Sequence, residues 1–103
     1  FDNKGPVILC EGFATALSLR RVLKNARRRY TIHVCFSAGN IVEVAKQFPE
    51  CFIVADNDPV GIKCAMKTGK LYWTSPVEGE DFNDFELRVG QDEALASLKL
   101  FRR

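Results

Sequence analysis

Three times within its first 55 residues the chain runs through four to six residues dominated by apolar or β-branched side chains. These runs are Val7-Ile8-Leu9-Cys10, Thr31–Phe36 and Cys51-Phe52-Ile53-Val54-Ala55. Each is followed by a stretch with helical spacing. An unbroken apolar run of this length suits a strand buried on both faces, which belongs to a parallel sheet covered by helices. Between the runs, Phe13, Ala16, Leu19, Leu23 and Ala26 mark a helix to about Arg29, and Ile41, Val44, Ala45 and Phe48 mark a second that Pro49 ends. Asp58 and Pro59 offer an N-cap and a first-turn proline for a third helix, which Gly69 stops. Leu71–Thr74 reads as a fourth strand, Pro76–Asp84 as an acidic loop, and Gln91–Phe101 as a closing helix. Strand–helix alternation of this kind specifies an α/β fold with a mostly parallel sheet and right-handed crossovers.

With 103 residues, 47% hydrophobic and 27% charged, the chain has the size and composition of one globular domain. No apolar run approaches the roughly 18–20 residues of a membrane span. Cys10, Cys35, Cys51 and Cys64 contain no CxxC pair, and His33 is the sole histidine. A structural zinc site is therefore not expected, and the thiols read as small buried hydrophobes in a reducing cytoplasm. The chain opens on Phe1, with neither an initiator Met nor a secretory signal, as a domain cut from a larger protein would. The net charge of +2 conceals an asymmetry: residues 1–48 carry eight Lys/Arg against three acids, and residues 49–103 seven against ten. A cationic face beside a carboxylate cluster suits action on polyanions.

In open parallel sheets, ligands bind beyond the carboxyl ends of the strands. The first strand here ends in Glu11-Gly12, the second in Ser37-Ala38-Gly39 and the third in Asp56-Asn57-Asp58. Neither a P-loop nor a GxGxxG turn follows the first strand. If the first and third strands are neighbours, Glu11, Asp56 and Asp58 face one spot. Clustered carboxylates repel one another, and a hard divalent cation such as Mg²⁺ relieves the conflict. The simpler alternatives are that Asp58 only caps its helix and that Asp56 is a turn residue. Glu11, directly after a buried strand, has no comparable structural reason. Receiver domains also gather acids at strand ends, but they need an acidic pair after the first strand and a lysine ending a fifth, and neither is present.

Taken together, Val7–Ala16 with Glu11, Ser37-Ala38-Gly39-Asn40, and Ala55-Asp56-Asn57-Asp58-Pro59-Val60-Gly61 resemble the Toprim domain of bacterial-type primases, type IA and type II topoisomerases and several nucleases. Gly79-Glu80-Asp81-Phe82-Asn83-Asp84 is similar to the G-x-D-[FW]-N-D segment of Toprim domains in phage- and plasmid-type primases and primase–helicase fusions. The likeness runs from about Pro6 to Phe85. It implies a Rossmann-like Toprim fold with about four strands over residues 1–103, and phosphoryl transfer with Mg²⁺, for which Mn²⁺ can substitute.

By the same resemblance Glu11 is the general acid/base and Asp56 and Asp58 hold the metal. Gly12, Gly39 and Gly61 are structural glycines, Gly39 allowing close backbone approach near the site and Gly61 close packing of the third helix. Asp81 and Asp84 either add a second metal position or, for Asp84, cap a short helix. The activity implied is primer synthesis on single-stranded DNA from ribonucleoside triphosphates, alongside flanking primase or helicase domains. Strand cleavage by a nuclease or topoisomerase fragment is the second reading, and a catalytically silent binding module the third. The stripe Arg20, Arg21, Lys24, Arg27, Arg28 and Arg29 suits contact with a nucleic-acid backbone or triphosphate, or equally a solvated helix face. Phe36, Tyr72, Trp73, Phe82 and Phe85 are candidates for base stacking or for the core.

Overall fold

The computed structural model describes residues 5–99. Four parallel strands form one sheet: β1 (Val7–Cys10), β2 (Thr31–Val34), β3 (Cys51–Val54) and β4 (Tyr72–Trp73), in the order β2-β1-β3-β4. Five helices accompany them: α1 (Phe13–Asn25), α2 (Ala38–Ala45), α3 (Pro59–Thr68), α4 (Phe82–Val89) and α5 (Gln91–Lys99). This is the expected α/β, Rossmann-like arrangement. No described helix is long and apolar enough to cross a membrane.

The period of two along each strand divides the core in two. Ile8, Cys10, Ile32, Phe52, Val54 and Trp73 face the layer built by α1, α4 and α5, where they meet Leu19, Val22, Phe82, Phe85 and Leu98. Leu9, Ile53 and Ala55 face Ile41, Ala45 and Ala65 of α2 and α3. Both faces are covered, so the central strands need no polar side, and their sequences are continuous apolar runs for that reason.

The connections set the position of the functional edge. The chain goes from β1 to β2 on one side, then back past β1 to β3 on the other. Neighbouring strands β1 and β3, in register at Cys10 opposite Val54, thus flank the point where the winding reverses. In open α/β sheets this point, beyond the carboxyl ends of the strands, is where ligands bind.

Several boundaries differ from the sequence expectation. The first helix stops at Asn25 rather than near Arg29. Arg27 adopts a left-handed φ of 56°, while the Arg28 N–H bonds Leu23 O at 2.8 Å and the Arg27 N–H bonds Lys24 O at 3.0 Å. This pair of bonds is a Schellman closure, which terminates a helix whatever its apolar pattern does next. The acidic loop is shorter than expected, because α4 begins at Phe82. Phe101, assigned to the last helix, lies outside the described residues.

Candidate active site

Glu11 follows β1 directly and is half-buried. Its carbonyl oxygen accepts the Phe36 N–H at 2.8 Å, and the Cys35 N–H bonds Cys10 O at 2.8 Å, so backbone bonding between the two strands continues one residue past β1 and two past β2. The β2–α2 turn is tied down further: Ser37 Oγ accepts the Asn40 N–H at 3.0 Å, and Asn40 Nδ2 donates to Cys35 O at 2.9 Å. Glu11 therefore sits on a rigid edge.

Asp56 lies two residues past β3, also half-buried. Its Oδ1 is buried without a hydrogen-bond partner. Burial first, then the charges of Glu11, Asp81 and Asp58, push its carboxyl up to about 7. That coupling joins residues from three separate segments at one place. The Cys10 thiol beneath is pushed up to about 12, mainly by burial and then by Cys35 and Asp56. It is a neutral, inert neighbour.

Asp58 does cap α3: its Oδ1 accepts the Gly61 N–H at 2.6 Å. One oxygen is committed to the helix and Oδ2 is left over, so capping and metal binding are compatible. Gly61 is required by packing. A Cβ there would stand 2.6 Å from Asp56 O and 3.1 Å from Asp58 Oδ1. At Gly12 and Gly39 a Cβ would meet nothing within 4 Å, so packing within the domain demands neither glycine.

The segment 79–84 is stitched onto the aspartate turn. The Gly79 N–H donates to Asn57 O at 2.7 Å, the Asn57 N–H to Glu80 O at 3.0 Å, and Asn57 Nδ2 to Ser75 O at 2.7 Å. Asp81 is thereby held beside Asp56 as the N-cap of α4. It forms a reciprocal capping box with Asp84: the Asp84 N–H reaches Asp81 Oδ1 at 2.8 Å and the Asp81 N–H reaches Asp84 Oδ2 at 3.2 Å. Burial foremost raises the Asp81 carboxyl above its ordinary range. The D-x-x-D spacing ahead of Phe82, Phe85 and Val89 is the sequence signal for this helix start.

The basic stripe lies elsewhere. α1 starts at the acidic edge and runs away from it for 13 residues, about 20 Å at 1.5 Å per residue. Arg20 and Lys24 are exposed along its length, whereas Arg27 and Arg28 sit past its far end, and Arg28 is half-buried against Leu23 and Tyr30. Arg21 is engaged by Glu86, with Nε to Oε2 at 3.1 Å, and the Ser18 hydroxyl donates to Glu86 Oε1 at 2.6 Å. Ser18 and Glu86 of this triad are buried and Arg21 is exposed; the sequence showed Arg21 only as a member of the basic stripe. Trp73, Phe82 and Phe85 pack edge-to-face in the core on one side of the sheet, and Tyr72 is packed against the core on the other. Of the five aromatic candidates, Phe36 alone stands in solvent, 76% exposed.

Among the described residues no three His, Cys, Asp or Glu side chains are arranged to enclose a metal ion. The orphaned Asp56 oxygen, ringed by Glu11, Asp58 and Asp81, nonetheless fits a cation that completes its shell with water and substrate phosphates, as Mg²⁺ does. Comparison with curated proteins finds no matching relative. The family model described as the Toprim domain matches residues 6–92, a span that includes Glu11, Gly39, the Asp56–Gly61 turn and the 79–84 segment. The chain belongs to the Toprim family, the module of metal-dependent nucleic-acid processing found in primases, nucleases and topoisomerases.

Proposed function

We propose that this domain is the catalytic module of a primase, joining ribonucleotides on a single-stranded DNA template as part of a larger replication protein. The observation that carries the metal-dependent part of this reading is Asp56: a carboxylate with an unpartnered buried oxygen, held among three other acids. Asp56 and the free oxygen of Asp58 would hold Mg²⁺, with Asp81 beside them. When bound, the ion neutralises charge that develops on phosphate oxygens.

The chain's own residues do the rest. Glu11, fixed on the β1–β2 ladder, accepts the proton of the attacking 3′ hydroxyl. That oxygen bonds to the α-phosphorus of the incoming triphosphate while the bond to the bridging oxygen breaks, releasing pyrophosphate. In strand cleavage the same carboxyl would give its proton to the leaving oxygen. Synthesis is favoured over cleavage by the 79–84 segment, whose sequence resembles that of primase-type Toprim domains and whose backbone is bonded to the aspartate turn.

The test is incubation of the protein that carries this domain with single-stranded template, ribonucleotides and Mg²⁺. New oligoribonucleotides, lost in Glu11→Gln, support synthesis. A shortened template, equally lost in Glu11→Gln, transfers the reading to cleavage. An activity of the parent protein that survives Glu11→Gln unchanged makes the domain a silent binding module.

A further inference from the structure

Among the described residues only Arg27 and Phe36 combine a side chain with positive φ. For Arg27 the end of α1 explains it. Phe36, at φ 68°, has no such explanation. A glycine or asparagine would adopt this backbone at lower cost, and an aromatic ring in water forgoes the burial that normally stabilises it. Both unfavourable features are held in place by an over-determined turn: Cys35 and Phe36 N–H groups on the β1 edge, and Ser37 and Asn40 side chains closing the start of α2. Such a combination is characteristic of functional positions.

The location specifies the function. The Phe36 N–H is bonded to the carbonyl of Glu11, so the ring is rooted directly beside the acid/base. Along the same turn its neighbours are Ser37, Gly39 and Asn40, and space is open above Gly39. We propose that Phe36 is a stacking platform for an unpaired base of the nucleic-acid strand whose reacting oxygen Glu11 serves. The proposal rests on the nucleic-acid reading of the Glu11–Asp56 site. A strand is the one substrate common to synthesis and cleavage, so the ring's role does not depend on which reaction follows. Stacking on a ring is tolerant of base identity, as an enzyme acting at many sequences requires.

The test compares the chain's affinity for a fluorescently labelled single-stranded oligodeoxynucleotide and for an abasic strand of the same length, in Mg²⁺. Phe36→Gly removes the ring and relaxes the turn, so its melting temperature stays at or above that of the wild type and misfolding is excluded. Phe36→Gly is expected to lose on the order of 5- to 150-fold in affinity for the base-containing strand, the worth of one stacked base, with abasic binding unchanged. Phe36→Trp restores it, with tryptophan fluorescence quenched by the base-containing strand only. Undiminished binding by Phe36→Gly, or an equal loss for both strands, overturns the stacking role and leaves the site reading intact. A loss by Phe36→Gly that appears only in a parallel titration with ATP overturns the assignment to a strand. Absence of wild-type binding to either strand overturns the nucleic-acid reading itself, and the platform with it.

Discussion

Replacing Asp56 with asparagine is expected to stabilise the metal-free protein, and only at the alkaline side of its range. The carboxyl moves from 3.8 to about 7 on folding, so between these values the folded state binds a proton that the unfolded chain has released. Stability therefore falls as pH rises from about 4 to about 7 and levels off above it. At full strength the shift is worth about 4 kcal/mol; Asp56 is half-buried, and solvent screening reduces this to about 2 kcal/mol. The asparagine side chain carries no charge at any pH. Thermal melts in chelator should show Asp56→Asn matching the wild type near pH 4.5 and exceeding it near pH 8 by on the order of 10 °C, for a domain of this size. Millimolar Mg²⁺ at about pH 8 should recover much of that difference for the wild type and none for the variant, since only the carboxylate attracts the ion. Parallel profiles for the two proteins from about pH 4.5 to 8 would refute the account of Asp56 as an unrelieved buried charge. A pH effect without a Mg²⁺ effect would keep the electrostatics and remove the metal.

Gly61→Ala drives a Cβ into the Asp56 carbonyl; a loss of about 1–3 kcal/mol in urea unfolding is expected, with weaker Mn²⁺ binding followed by paramagnetic broadening. Arg27→Gly relieves the left-handed strain at the end of α1, so the melting temperature should rise by the equivalent of about 1 kcal/mol. The same variant reads the basic stripe: the salt dependence of strand binding falls by about one charge if Arg27 touches a phosphate and is unchanged if it is only solvated. Glu86→Ala leaves the buried Ser18 hydroxyl unpaired and should cost about 1–3 kcal/mol. The bonds from Arg21, then Ser18, hold the Glu86 carboxyl below its ordinary range. Its contribution is therefore present above about pH 4 and lost as pH falls through the lowered value, which acid titration of the wild type and the variant will show as a difference.

The strands were legible because burial on both faces leaves a run such as Val7–Cys10 no polar position to confuse it. The start of α3 was legible because Asp58 and Pro59 are local signals acting on their own backbone. α4 was legible only as the alternative of a short helix capped by Asp84, with no extent, because its buried face includes Glu86, a charge where the helical period calls for an apolar residue, and the Ser18 and Arg21 partners that make the burial possible come from more than sixty residues away. The end of α1 misled for the opposite reason. The apolar spacing continues to Ala26 and the charges to Arg29, yet the closure depends on a left-handed arginine that no glycine announces. For the site, the residues Glu11, Asp56 and Asp58 followed from strand ends alone. What Asp56 experiences did not, since it depends on β1 and β3 being neighbours and on the 79–84 segment returning to Asn57.

These non-local terms also account for where the unfavourable features lie. Asp56 with its unpaired oxygen and Phe36 with its exposed ring and left-handed backbone both stand at the carboxyl edge, one beyond β3 and one beyond β2. Between them runs β1, whose Leu9 and Cys10 are fully buried and which pairs along its length with both neighbours. Neither feature could be held by a loop alone, because each would relax by a small backbone rotation. A core packed on both faces makes that rotation more costly than the strain it would release. Asp56 and Phe36 thus flank Glu11 at the end of a strand paired on both sides, where the proposed nucleic-acid strand and its cation would satisfy both at once.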